Sequence, residues 1–155
     1  VWFHRSLSGA GRSPAKKVLL LERRTADASE AEALQLEIGA RVHVYEGLSL
    51  AESQPIALFR SVFPAERLPD LLSHLRNNPS VTEGLAQSGV ADFIRASTRV
   101  NAKHATATQA LHLRIAEHAP ILRTISVNVA PDGSPIEVGR TWFAGDMVTL
   151  ILSDP

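Results

Sequence analysis

The chain has 155 residues, 45% of them hydrophobic and 21% charged, the profile of one ordinary folded domain spanning 1–155 and not of a disordered segment. A chain of this length hides roughly 70% of its unfolded surface without disulfide staples, and the absence of cysteine excludes thiol nucleophiles and cysteine zinc sites. Sixteen basic residues offset sixteen acidic ones, so the chain by itself lacks the basic footprint that grips a DNA backbone.

Val18-Leu-Leu-Leu-Glu22 follows a polar lead containing Gly9-Ala-Gly11-Arg-Ser-Pro14 and reads as a buried strand. Asp27-Ala-Ser-Glu30 has capping-box spacing, and Ala31, Leu34 and Ile38 continue one helical face until Gly39. Val42 to Leu50 alternates as a strand, Glu52-Ser53-Gln54 turns, and Pro55 opens a second strand to Phe63, together a hairpin. Leu68, Leu71, Leu72 and Leu75 predict a short amphipathic helix, and Ser80 with Glu83 predicts a capped one ending near Gly89. Phe93 to Ala102 is a strand rich in polar side chains. Thr106 and Gln109 open a further helix carrying Leu111 and Ile115. Ile121 to Val129, a turn at Pro131-Asp-Gly-Ser134 and Pro135 to Phe143 make a second hairpin, and Met147 to Leu152 reads as a last strand.

These elements repeat. Strand, capped helix, strand, turn and Pro-Ile strand occur twice, with Ala33-Leu-Gln-Leu36 echoed by Ala110-Leu-His-Leu113 and Pro55-Ile56 by Pro135-Ile136. Arg60-Ser61 is likewise echoed by Arg140-Thr141. The pattern predicts an α+β fold: a mostly antiparallel sheet with helices packed on one side, built as an internal pseudo-twofold repeat. Such a duplication offers two similar crevices, of which one holds a ligand.

Enzyme signatures are missing. The six histidines form no HExxH, no serine sits in GxSxG, and there is neither GxGxxG nor a P-loop, so the chain is expected to be no enzyme and to need no cofactor or metal. No apolar run approaches the ~20 residues of a membrane span, and a cytoplasmic protein is expected. The polar groups that invite a role are arginines on strands: Arg60, Arg95, Arg99 and Arg140. A guanidinium on a half-buried sheet needs an anion, either a carboxylate such as Glu46 or Glu137 or a ligand phosphate or phosphonate. Ser61, Ser97, Thr98 and Thr141 add hydroxyl donors.

Several phrases in order resemble the effector-binding (UTRA) domain of the HutC branch of GntR-type bacterial transcription regulators. They are Leu19-Leu-Leu-Glu-Arg23, Glu30-Ala-Glu-Ala-Leu34, Val42-His-Val-Tyr45, Gln54-Pro-Ile-Ala-Leu58, Arg60-Ser-Val-Phe-Pro64, Ala119-Pro-Ile-Leu-Arg123, Asp132-Gly-Ser-Pro-Ile-Glu137 and Gly145-Asp146. The resemblance implies a chorismate-lyase-like fold, a homodimer, and an N-terminal winged helix-turn-helix, absent from this chain, through which DNA is bound. Arg95-Ala-Ser-Thr-Arg-Val-Asn-Ala102 and Gly139-Arg-Thr-Trp-Phe-Ala-Gly-Asp146 look most like repressors of phosphonate-utilisation operons. The chain departs from the sugar-phosphate-sensing relatives: Gly47 and Ser49 stand where they carry arginines, Phe59 where they carry Glu, and His4 where they carry Ser or Thr.

The expected function is ligand sensing for a repressor, with a small anionic effector held between the sheet and the N-terminal loop. The alternatives are a dimerisation module without a working pocket and a lyase-like enzyme. The expected effector site combines an anion clamp at Arg60, Arg99 and Arg140, hydroxyl donors Ser61 and Thr98, an acceptor at Glu137, a wall at Phe143, and His4 and Arg5 near the N-terminus.

Overall fold

A computed structural model describes residues 15–151. Strands β1 (Ala15–Thr25), β2 (Arg41–Ala51) and β3 (Gln54–Pro64) form the first half of a six-stranded sheet. Strands β4 (Ile94–His104), β5 (Pro120–Val129) and β6 (Pro135–Ala144) form the second. The order is β1-β2-β3-β6-β5-β4, and all five pairings are antiparallel.

That order is the expected duplication, with its pseudo-twofold axis between β3 and β6, where Arg60 pairs with Arg140. The halves match in detail. The β2–β3 hairpin has an irregularity between Ser49 and Leu50, and the β5–β6 hairpin has one between Asn128 and Val129, each opposite a Pro-Ile pair. Helix α1 (Ala28–Leu34) starts from Asp27, whose carboxylate accepts from Glu30 N–H while Glu30 returns the bond to Asp27 N–H. Helix α4 (Ala107–Leu113) has the same reciprocal box between Thr106 and Gln109. Helices α2 (Leu71–Asn77) and α3 (Val81–Gln87) lie between the halves, and Ser80 Oγ accepts from Glu83 N–H at the start of α3.

Both repeated helices are shorter than the periodicity predicts. Gln35 and Arg114 adopt left-handed conformations (φ 55° and 56°) that end them after two turns. Ile38 therefore falls in a turn and is fully exposed, and Leu111 sits on the solvent side of α4. Met147 is in a turn and residues 148–151 form no strand; Val148 and Leu150 pack instead on Ile56, Ala57 and Phe143. Leu152 and the Gly9–Pro14 lead lie outside the described residues.

The helices cover both faces of the sheet, not one. Leu34 of α1 packs on Val42, Val44, Val62 and Val138, and Leu113 of α4 on Ile121 and Trp142. On the opposite face Leu71, Leu75 and Leu85 of α2 and α3 pack on Tyr45, Phe59, Phe63 and Ile136. The sheet splits these sets because alternate residues of a strand point to opposite sides. Gly47 marks a tight spot on the α2–α3 face, where a Cβ would stand 2.6 Å from the Phe59 ring and 2.8 Å from the Lys17 carbonyl.

His43 is fully buried in β2, with Nε2 donating to the Leu68 carbonyl at 2.8 Å. Burial pushes its pKa below the usual value of 6.5, opposed by the bond to Leu68 and aided by Arg23 on the neighbouring strand. The unfolded chain then takes up a proton that the native chain resists, so stability falls as pH drops below about 6.5. Urea unfolding at pH 7.5 and 5.5 should show a loss in the wild type that shrinks in His43→Gln, which keeps a donor for Leu68 without a titrating ring. An equal loss in both would remove His43 as its source. In the same assay Gly47→Ala should cost about 1–3 kcal/mol, because Phe59 must shift to admit the methyl group.

Candidate functional site

On the α2–α3 face the sheet does not close against its helices. A cavity of about 420 Å³ remains, floored by β2, β3, β5 and β6 and roofed by residues 78–82, the corner between α2 and α3. One cross-strand row, Tyr45–Ser61–Gly139–Ser126–Thr98, runs under it from β2 to β4. The next row on the same face is Gly47–Phe59–Thr141–Thr124. Tyr45 reaches up from the floor and its hydroxyl donates to the Pro79 carbonyl at 2.9 Å, tying the roof to the sheet. Burial pushes this phenol up to about 12.

The two halves of the repeat line the cavity differently. The first contributes Tyr45, Ala57 and Phe59, with the Phe59 ring edge-on to Tyr45 at a centroid distance of 4.9 Å. The second contributes Thr124, Ser126, Asn128, Glu137 and Thr141. Gly139 stands at the repeat position of Phe59, so the floor is filled on one side and open on the other. A Cβ there would sit 3.7 Å from both Glu137 Oε2 and Ser61 Oγ, an ordinary contact that leaves space above it.

Two cations enter from equivalent edge-strand positions. Lys16 of β1 pairs with Ser49, and Arg95 of β4 pairs with Asn128, the matching residue of the second half. Lys16 Nζ donates to Ser49 Oγ at 2.8 Å and lies 5.1 Å from the Phe59 ring centroid. Arg95 Nε donates to Asn128 Oδ1 at 2.8 Å, and Nη1 donates to Ser126 Oγ at 3.1 Å and Thr98 Oγ1 at 3.3 Å. Asn128 passes the contact on, donating from Nδ2 to Glu137 Oε1 at 2.8 Å. Burial lowers the pKa of both cations, and the Glu137 charge opposes that in each case. Among the described residues the cavity wall thus carries two cations and the Glu137 carboxylate, and its hydroxyls and amide can serve the oxygens of an anion.

Of the residues expected from sequence, the structure brings Ser61, Glu137 and Phe143 into the cavity wall and Thr98 against Arg95. It does not bring the expected clamp there. Arg60, Arg99 and Arg140 project from the other face, because each is one step out of phase with its cavity-facing neighbour Ser61, Thr98 or Gly139. Arg60 Nε is instead paired with Glu46 at 2.7 Å, one of the carboxylate partners anticipated for a strand arginine. Arg140 donates to Ser29 of α1 at 3.2 Å, and Arg99 is exposed on β4 beside Ile125. His4 and Arg5 lie outside the described residues. Lys16 and Arg95, which the cavity does hold, are not among the expected site residues. Arg95 was legible as a strand arginine in phase with Thr98 across the β4 irregularity, whereas Lys16 precedes the predicted start of β1 and gave no signal. Among the described residues no group of three or more His, Asp or Glu side chains is placed to hold a metal ion.

A duplicated antiparallel sheet whose halves together line one cavity with a few convergent polar groups defines a small-molecule binding domain. Comparison with known proteins places it: the UTRA domain matches residues 9–149, and the chain belongs to that family. It is 33% identical over 120 residues to an uncharacterized HTH-type transcriptional regulator of Rhizobium meliloti, a match covering 77% of this chain and 49% of that protein. The chain thus spans about half the length of this curated relative. Among solved structures, a GntR-family transcriptional regulator from Enterococcus faecalis superposes with a TM-score of 0.79 at 22% identity, covering 90% of this chain and 100% of that one. PhnF from Mycobacterium smegmatis superposes at 0.83 with 21% identity, covering 99% and 69% respectively. The expected α+β, chorismate-lyase-like architecture with its internal repeat is the one observed.

The Tyr45 bond to the roof can be tested alone. Tyr45→Phe keeps the ring against Phe59 and removes one hydrogen bond, a loss of about 1 kcal/mol. Hydrogen exchange over residues 78–88 should speed up while the strands stay protected. Unchanged exchange in the roof would show that packing alone holds it.

Proposed function

We propose that this chain is the effector-sensing domain of a GntR-type, HutC-branch bacterial repressor and that its ligand, a small anion such as a phosphonate or phosphate ester, binds in the cavity. The observation that carries this reading is that Lys16 and Arg95, from matching positions of the two repeats, both line one cavity together with hydroxyl and amide side chains. A cavity of about 420 Å³ has room for on the order of a dozen waters, far more than structural solvation of these groups requires. Arg95 would hold the anion, with Lys16 adding positive charge from the far end of the cavity; Ser61, Thr124, Ser126 and Thr141 would supply hydroxyl contacts, and Glu137 would accept from a ligand donor. Thr98 would support Arg95, and Phe143 would wall the cavity.

In this reading the chain is a cytoplasmic, non-enzymatic sensor that forms homodimers and meets DNA through a separate winged helix-turn-helix domain. The printed name of the Rhizobium meliloti relative and its greater length support that arrangement. Among the described residues no helix is long and apolar enough to cross a membrane. The ligand would bias one arrangement of the dimer over another by no more than its differential affinity, typically about 1–3 kcal/mol of coupling.

A thermal-shift panel of phosphate, alkyl- and aminoalkylphosphonates and sugar phosphates tests the reading. A ligand at about 100 times its Kd adds about 2.7 kcal/mol to native stability, an easily visible shift. Calorimetry with the best anion should then show at least a tenfold loss in Arg95→Gln, which keeps a polar side chain but removes a charge-assisted donor. Arg99→Ala, on the other face, should bind as the wild type does. The reverse pattern would move the anion to the Arg99 face.

A further inference from the structure

The division of the cavity into an aromatic half and a polar half bears on what kind of anion fits. The Phe59 ring lies over Gly47, so close that a Cβ at Gly47 would stand 2.6 Å from it. It is fixed from the side by Tyr45 at 4.9 Å, and the Lys16 ammonium lies 5.1 Å from its centroid. That cation is already engaged by Ser49 and by the ring, and it sits where burial disfavours its charge. Phe143, which pairs with Ala57, continues the apolar wall at this end, whereas Phe93 lies two residues from Arg95. At the other end Arg95, Ser126, Asn128 and Glu137 form a connected polar wall. The open floor above Gly139 joins the two ends.

A wholly hydrophilic ligand would leave those of its hydroxyls that lie on the Phe59 ring without hydrogen-bond partners. A bare anion would satisfy the polar wall and leave the aromatic wall to water. We infer that the cavity selects an amphiphilic anion: a compact anionic head seated at Arg95 and Ser126, carrying a contiguous apolar group of several carbons that lies against Phe59. This rests on the anion-sensing reading above and adds the class of ligand. Phe59 with Gly47 is then the specificity-determining pair, since the ring occupies the space a larger residue at 47 would need.

Calorimetry on the 155-residue chain tests this with defined probes: methyl-, butyl-, hexyl- and phenylphosphonate, hexanoate and glucose 6-phosphate. Affinity should rise about fourfold per methylene from methyl- to butylphosphonate, as apolar burial requires. Phenylphosphonate should exceed methylphosphonate, and glucose 6-phosphate should bind more weakly than butylphosphonate. Comparing hexanoate with hexylphosphonate separates a carboxylate head from a phosphonate one; dependence on the tail supports the inference with either. Phe59→Leu, which keeps an apolar core residue, should reduce the advantage of phenylphosphonate while leaving methylphosphonate unchanged. If that variant fails to fold, the wild-type series still decides. Measurable head-group binding with no dependence on the tail overturns the amphiphile and leaves the anion reading standing. No binding by any probe overturns both.

Discussion

Arg60 and Arg140 face each other across the central strand pair, and the faces of all six strands are counted outward from that contact. Antiparallel pairing with a side-chain period of two leaves no freedom in this count, because a slip of one residue on either strand would turn its apolar set to the wrong side. With Arg60 and Arg140 on the α1–α4 face, Ser61 and Gly139 must lie on the α2–α3 face. From Gly139 the cavity row continues to Ser126 and Thr98, and from Ser61 to Tyr45. The register also accounts for the helices: α1 covers valines of one parity, and α2 and α3 cover aromatics of the other.

Duplication supplies two copies of each cavity position, and the copies have taken different work. Tyr45 corresponds to Thr124, Ser49 to Asn128, Ala57 to Glu137, Phe59 to Gly139 and Lys16 to Arg95. The exchanges of Tyr45 with Thr124, Ala57 with Glu137 and Phe59 with Gly139 move polarity or open space toward the second half, while Ser49 with Asn128 and Lys16 with Arg95 keep a polar and a cationic pair. The interhelical segment follows the same asymmetry. After β3 the chain builds α2 and α3 over Ile136 and Phe63, whereas after β6 it lays Val148 and Leu150 over Ile56 and Phe143. Of the two crevices that a pseudo-twofold fold can offer on this face, one, of about 420 Å³, forms under the α2–α3 corner.

Much of this was legible in the sequence because it is local. Asp27 with Glu30 and Thr106 with Gln109 announce their helices through spacing alone, and both boxes form. The repeat was legible because its echoes kept their order. What failed depended on facts that spacing does not hold. Ile38 shares a helical period with buried Ala31 and Leu34, yet the left-handed cap at Gln35 ends the helix before reaching it, and Leu111 stays within its helix but on the solvent side. The arginines failed for another reason. Arg60 beside Ser61 and Arg99 beside Thr98 cannot serve one pocket from an unbroken strand, and the alternation that identified the strands already separated them. Glu137 and Phe143, six residues apart on β6, share a parity and do share the cavity.

The cations in the cavity are costly to the fold. Lys16 and Arg95 are both drawn from water far enough for burial to oppose their charge, and Glu137 favours that charge in each. Buried charges add little to stability unless they are closely compensated, and apolar residues of similar size commonly do better. The hydrogen bonds from Arg95 to Asn128, Ser126 and Thr98 fix the guanidinium in place at the cavity wall. Glu30 shows what the same fold does when a charge serves structure. That carboxylate takes a bidentate pair with Arg24 at 2.6 and 2.8 Å together with the Asp27 N–H, and Arg24 holds it well below the usual carboxylate range. The contrast lies within one molecule: Glu30 is closed off by partners that hold the start of a helix, and Lys16 and Arg95 are positioned and oriented at the wall of the cavity. An anion bound there would gain from groups already held in place, so little ordering would be left for binding to cost.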